Sequence, residues 1–133
     1  MVISKVSRTP EDIAPIPYQK MIISRGGDEM EKVVIAGAAR TPMGGFQGAF
    51  ADLTAADLGG HAIKAALDGA GTDTVDEVLM GCVLPAGQGQ APARQAGFKA
   101  GLGEEVPATT LNKMCGSGMK AAMIAFDQIS LGQ

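Results

Sequence analysis

The 133-residue sequence has no tryptophan, one tyrosine, one histidine and two cysteines. Cys82 and Cys115 form no C-x-x-C pair and match no zinc-finger spacing, so neither a redox dithiol nor a structural metal site is written in the chain. In a reducing compartment both are expected as free thiols. The single histidine, His61, has no partner pattern around it, and a role in chemistry is not expected of it. No apolar run is long enough to span a bilayer, and the start lacks the basic, apolar, small-residue order of a secretory signal. The expectation is a cytoplasmic protein with no membrane partner. A formal net charge of -3 supplies no basic surface for nucleic acid.

What is present is a globular composition, with 46% hydrophobic residues, 19% charged residues and 19 glycines. Glycine-rich turns and small-residue helices suit an α/β layer fold. Residues 1–32 differ from the rest. They mix Pro10, Pro15 and Pro17 with scattered charges and show no sustained period of 2 or 3.6, which reads as an extension, poorly ordered or loosely docked. Met30, Glu31 and Lys32 mark the expected domain start, and residues 33–133 the domain.

The run at 33–38, Val-Val-Ile-Ala-Gly-Ala, predicts a strand buried on both faces, as in a parallel sheet covered by helices. The loop that follows, 39–53, is rich in glycine but holds neither G-K-[ST] nor G-x-G-x-x-G, so a phosphate cradle is not expected. A helix is predicted over 54–70, with Thr54 as N-cap, Asp57 in the first turn, an apolar stripe of Ile63, Ala66, Leu67 and Ala70, and Gly71 as its stop. A second buried strand is expected within 76–84, carrying Cys82. A glycine-rich loop at 85–90 precedes a short helix over 93–100, whose Ala93, Ala96, Gly97 and Ala100 make a small-residue face for close packing. A third strand, 108–114, leads to Cys115. The fold class is α/β, three parallel strands alternating with helices, half of a doubly wound layer.

Cys115 lies where an extended run passes through Gly116 and Gly118 into a helical pattern over 119–131. The first N–H groups of a helix are unpaired and carry partial positive charge, which favours a thiolate nearby. A free thiol titrates at about 8.5, and a helix N-terminus lowers that value. Cys115 is therefore a candidate nucleophile. The competing reading is a small buried hydrophobe, since free cysteine is among the most buried residue types. A papain-like reading of Cys-Gly-Ser fails, because that pattern needs Cys-Gly-Ser-Cys before an aromatic, and Gly118 and Met119 follow here.

The last helix is apolar on nearly all sides. Met119, Met123, Phe126 and Ile129 lie on one side, with Ile124 and Leu131 on the other. Each large side chain contributes about 1.5 to 3 kcal/mol when buried, so a helix of this kind needs neighbours on several faces. The expectation is an incomplete unit that calls for a continuation or a partner.

Three segments carry a family resemblance: 33–42 (Val-Val-Ile-Ala-Gly-Ala-Ala-Arg-Thr-Pro), 80–96 (from Met-Gly-Cys-Val-Leu-Pro to Ala-Arg-Gln-Ala) and 112–120 (Asn-Lys-Met-Cys-Gly-Ser-Gly-Met-Lys). In this order they resemble the N-terminal part of a thiolase, the acetyl-CoA acetyltransferase group in particular. The resemblance implies a thiolase-like fold of two similar halves, truncated here to an incomplete first half. It implies that Cys115 is the acyl-accepting nucleophile, with coenzyme A thioesters as substrates, no bound cofactor, and a homo-oligomer in the full-length family. Thiolases also use a histidine in a Gly-His-Pro segment and a second cysteine in a Cys-x-Gly segment. Neither occurs in these residues, and Cys82 and His61 lack those settings. The fragment alone is thus expected to be inactive. The alternative expectation is a non-catalytic dimerisation or scaffold module, or a truncated gene product.

Overall fold

The computed structural model describes residues 32–132 and the backbone of two short strands before them. These strands, β1 (Ile23–Arg25) and β2 (Asp28–Met30), pair antiparallel with Arg25 opposite Asp28. The sequence reading of 1–32 as an irregular extension did not include this hairpin. The remainder of that extension lies outside the described residues.

The body of the fold is α1 (Ala55–Ala70), β3 (Val78–Gly81), α2 (Pro92–Lys99), β4 (Ala108–Leu111) and α3 (Ser117–Ser130). Strands β3 and β4 pair in parallel, from Val78 opposite Ala108 to Gly81 opposite Leu111, with α2 as the crossover. The backbone N–H of Cys82 donates to the Leu111 carbonyl at 2.9 Å and carries the ladder one step further.

Strand alternation sends successive β3 side chains to opposite faces. Val78 enters a core with Ile63 and Leu67 of α1, Ala93 and Ala96 of α2, and Val75, Leu102 and Val106. Leu79 enters a second core with Ala121 and Ala125 of α3. One pair of strands thus holds α1 and α2 on one face and α3 on the other, the layering that the sequence pattern implied.

Local signals act as expected in α1. Thr54 accepts from the Asp57 N–H at 3.1 Å while the Asp57 carboxylate accepts from the Thr54 N–H at 2.9 Å, a reciprocal cap. Gly71 ends the helix in the left-handed region at φ 70°. The small face of α2 does pack closely. Gly59 of α1 lies so near it that a Cβ there would sit 3.0 Å from Ala96 Cβ.

The strand expected at 33–38 does not form. Among the described residues it joins no ladder, and Ile35 is 78% exposed. Its composition suits a strand covered on both faces, but a strand needs a backbone edge alongside it. The segment instead runs against α1, where Gly37 approaches the backbone of Ala66 and Ala70. The sheet of the described domain accordingly has two parallel strands, not three. The last helix starts two residues earlier than its apolar pattern, at Ser117. Its inner side is covered through Ala121 and Ala125, while Met119 and Met123 on the other side are exposed. No helix among the described residues is long and apolar enough to cross a membrane.

Candidate active site at the turn between β4 and α3

The chain leaves β4 at Leu111 and enters α3 at Ser117, so five residues, 112–116, make the turn that carries Cys115. Two polar side chains hold it from either end. Asn112 uses both ends of its amide: Nδ2 donates to the Val83 carbonyl at 3.0 Å, and Oδ1 accepts from the Met114 N–H at 2.8 Å. This is an Asx turn, in which a short amide side chain substitutes for a backbone group. Ser117 closes the other end. Its hydroxyl donates to the Met114 carbonyl at 2.6 Å and accepts from the Lys113 N–H at 2.9 Å.

Backbone bonds tighten the same turn, with the Gly116 N–H on the Lys113 carbonyl at 3.0 Å and the Ser117 N–H on the Met114 carbonyl at 3.1 Å. Between them Met114 is held at φ 49°, in the left-handed region that residues with a Cβ rarely occupy. Such a conformation persists only where its surroundings impose it. Here the bonds from Asn112 and Ser117 impose it.

The floor of the turn is Gly81. A Cβ at this position would lie 2.5 Å from the Ser117 carbonyl carbon and 2.6 Å from the Gly118 nitrogen, so α3 starts in direct backbone contact with β3. Gly116, the residue at the N-cap, brings no side chain to the first-turn N–H groups. Those donors remain without a side-chain cap, next to the cysteine.

Cys115 is exposed on this turn, so the reading of it as a small core residue is set aside. Its thiol makes no hydrogen bond among the described residues. Cys82 differs from it. It follows the end of β3, is half-buried, and its thiol faces the Gln88 Oε1 at 3.8 Å. Expected as a core residue within a strand, it lies instead at the strand's exit, where the cover thins toward the 85–90 loop. That loop is fixed by Gln95, whose Nε2 donates to the carbonyls of Gln88 at 2.8 Å and Gln90 at 2.6 Å. His61 lies exposed on α1, whose layer covers the sheet face opposite α3, and it forms no bond with Cys115.

Sequence reasoning picked out Cys115 but passed over Asn112, Ser117 and Gly81 as its supports. An Asn two residues before a turn position and a Ser entering the helix were the available signals. Nothing in the sequence marks Gly81 as the floor, because its partners are 36 and 37 positions away in Ser117 and Gly118.

A family model described as the thiolase N-terminal domain matches residues 33–133. The chain is 55% identical over 105 residues to acetyl-CoA acetyltransferase B, mitochondrial, of Xenopus laevis, covering 77% of this chain and 25% of that protein. It is 53% identical over 102 residues to the acetyl-CoA acetyltransferase of Rhizobium meliloti, covering 75% and 26%. To a probable acetyl-CoA acyltransferase of Staphylococcus aureus it is 50% identical over 106 residues, covering 78% and 27%. The chain spans about a quarter of the length of the curated relatives it matches. With a parallel strand pair layered between helices and the match running through the turn at Cys115, the chain belongs to the thiolase family, within the family's N-terminal domain.

Proposed function

We propose that this chain carries the acyl-accepting cysteine of an acetyl-CoA acetyltransferase, and that the residue is Cys115. The observation that carries the reading is an exposed thiol on a tightly bonded turn, directly before a helix whose first N–H groups have no side-chain cap. In the proposed step the Cys115 thiolate attacks the carbonyl carbon of an acyl-CoA thioester. A new carbon–sulfur bond forms, the bond to the coenzyme A sulfur breaks, and the coenzyme A thiolate leaves and takes up a proton. In condensation the α-carbon of a second acyl-CoA loses a proton and takes the acyl group from Cys115. In the reverse, thiolytic direction the thiolate attacks the 3-oxo carbon of a 3-oxoacyl-CoA, the C2–C3 bond breaks, acetyl-CoA leaves once its α-carbon has taken up a proton, and the thiol of free coenzyme A then takes the acyl group from Cys115. Covalent catalysis of this kind needs a base and oxyanion donors beside the nucleophile. These residues contain neither a Gly-His-Pro nor a Cys-x-Gly segment, so on their own they are expected to hold a reactive thiol and not to turn over. Coenzyme A thioesters are the proposed substrates, with no bound cofactor, and a homo-oligomer is the proposed assembly of the whole enzyme.

The test compares each thiol with itself. The chain is alkylated with iodoacetamide at pH 7, folded and in urea, and the two sites are read separately by peptide mass spectrometry. Burial only slows a thiol relative to the unfolded chain, so a folded rate above the unfolded one reports activation and not exposure. The folded-to-unfolded ratio is expected above one at exposed Cys115 and below one at half-buried Cys82. A Cys115 ratio of one or less overturns the reading.

A further inference from the structure

The hydroxyl of Ser117 is unusual in its setting. Ser117 is the buried polar residue of the described domain, 3% exposed, and it stands at the first position of α3 against the backbone of β3 at Gly81. A serine that enters a helix usually faces the helix's own first turn. This one turns backward, giving its proton to the Met114 carbonyl and receiving the Lys113 N–H. It therefore bonds to the two residues that immediately precede Cys115, and not to the helix it begins.

On the far side Asn112 fixes the Met114 N–H and anchors to Val83 across the sheet end. The peptide groups at 113 and 114 are thus held by side chains from both directions, and Met114 is kept at φ 49°. Released from these bonds, Met114 would return to the ordinary right-handed or extended regions. That rotation comes one residue before Cys115 and changes the direction of its Cα–Cβ bond. Gly116 supplies no compensating contact, since its own bond to the Lys113 carbonyl depends on the same turn.

We propose that Ser117, with Asn112, is a positioning residue for Cys115: the buried hydroxyl clamps a left-handed turn that aims the thiol at the uncapped helix end. The inference rests on the reading of Cys115 as the nucleophile. It adds that the reactivity of the thiol is set by the clamp and not by the helix end alone. A purely structural serine would affect both thiols, since loosening the chain exposes Cys82 and speeds its alkylation. A positioning serine affects Cys115 alone, and in the opposite direction.

The experiment uses the full 133-residue chain and the same folded-to-unfolded alkylation ratio, with iodoacetamide as the probe. Ser117→Ala is expected to lower the Cys115 ratio to one or below, with the Cys82 ratio and the helical circular dichroism unchanged. Ser117→Thr, which keeps the hydroxyl, is expected to restore most of the loss. Where Ser117→Ala loses the helical signal, Asn112→Ala decides, because Asn112 is exposed and holds the same turn from outside; the same loss at Cys115 is expected there. An unchanged Cys115 ratio in a folded variant, or a rise at Cys82 equal to the change at Cys115, overturns the clamp while leaving the nucleophile reading intact. A parent ratio of one or less at Cys115 overturns both.

Discussion

At Gly81 one added methyl group meets the backbone at the start of α3. In Gly81→Ala the new Cβ lies 2.5 Å from the Ser117 carbonyl carbon, 2.6 Å from the Gly118 nitrogen and 2.6 Å from Ser117 Cβ. An ordinary contact needs at least about 3.4 Å, and two of the three atoms are backbone, so no side-chain rotation relieves the clash. The start of α3 must retreat from β3 by roughly 1 Å. Overpacking of this kind costs about 1 to 3 kcal/mol, against a domain stability of about 5 to 15. The retreat also pulls on the contact of Leu79 with Ala121 and Ala125, which places the upper half of the range as the expectation. Gly69→Ala is the matched control. It lies within α1 with nothing within 4 Å of the new atom, so the same chemical change there should stabilise by about 0.5 to 1 kcal/mol. Urea unfolding followed by circular dichroism reads both, and the two shifts are expected to have opposite signs. Gly81→Ala as stable as the parent would refute the close approach of α3 to the sheet.

Thr110→Val removes the acceptor of the Ala93 N–H, a 2.9 Å bond from β4 to the first turn of α2, and a loss of about 1 to 2 kcal/mol is expected in the same assay. The Asp57 carboxyl is held well below the usual carboxylate range, chiefly by its bond with Lys99 at 2.7 Å and then by Thr54. A lowered folded-state value means that the unfolded chain takes up the proton first. This contribution is therefore complete above the unfolded value of about 3.9 and is lost as the pH falls below it toward the folded value. The destabilisation caused by Asp57→Asn should be constant from pH 7 to 5 and shrink in strongly acid solution; a difference that grows on acidification would contradict the assignment.

How much of this was legible in the sequence differs by element. Helix α1 could be read nearly whole, because Thr54, Asp57, Gly71 and the Ile63–Leu67 stripe are local signals that act within a few residues. Position of Cys115 at a helix start was legible for the same reason. The strand expected at 33–38 was not a reliable inference, since β-branched composition describes the surface a strand prefers and not whether an edge is there to receive it. The β1–β2 hairpin escaped because its flanks lack alternating apolar residues. Of the site, the nucleophile was visible and its supports were not. Asn112 and Val83, or Gly81 and Ser117, meet only through the parallel pairing of β3 and β4, and no local pattern encodes that meeting.

The bond from Thr110 to Ala93 has a consequence for the order of folding. Ala91, at the N-cap of α2, provides no side-chain acceptor and itself sits in the left-handed region at φ 45°. The acceptor that completes the first turn of α2 comes instead from a strand made 17 residues later in the chain. Until β4 is in place, that turn lacks this acceptor. Completion of the first turn of α2 is thereby coupled to the docking of β4.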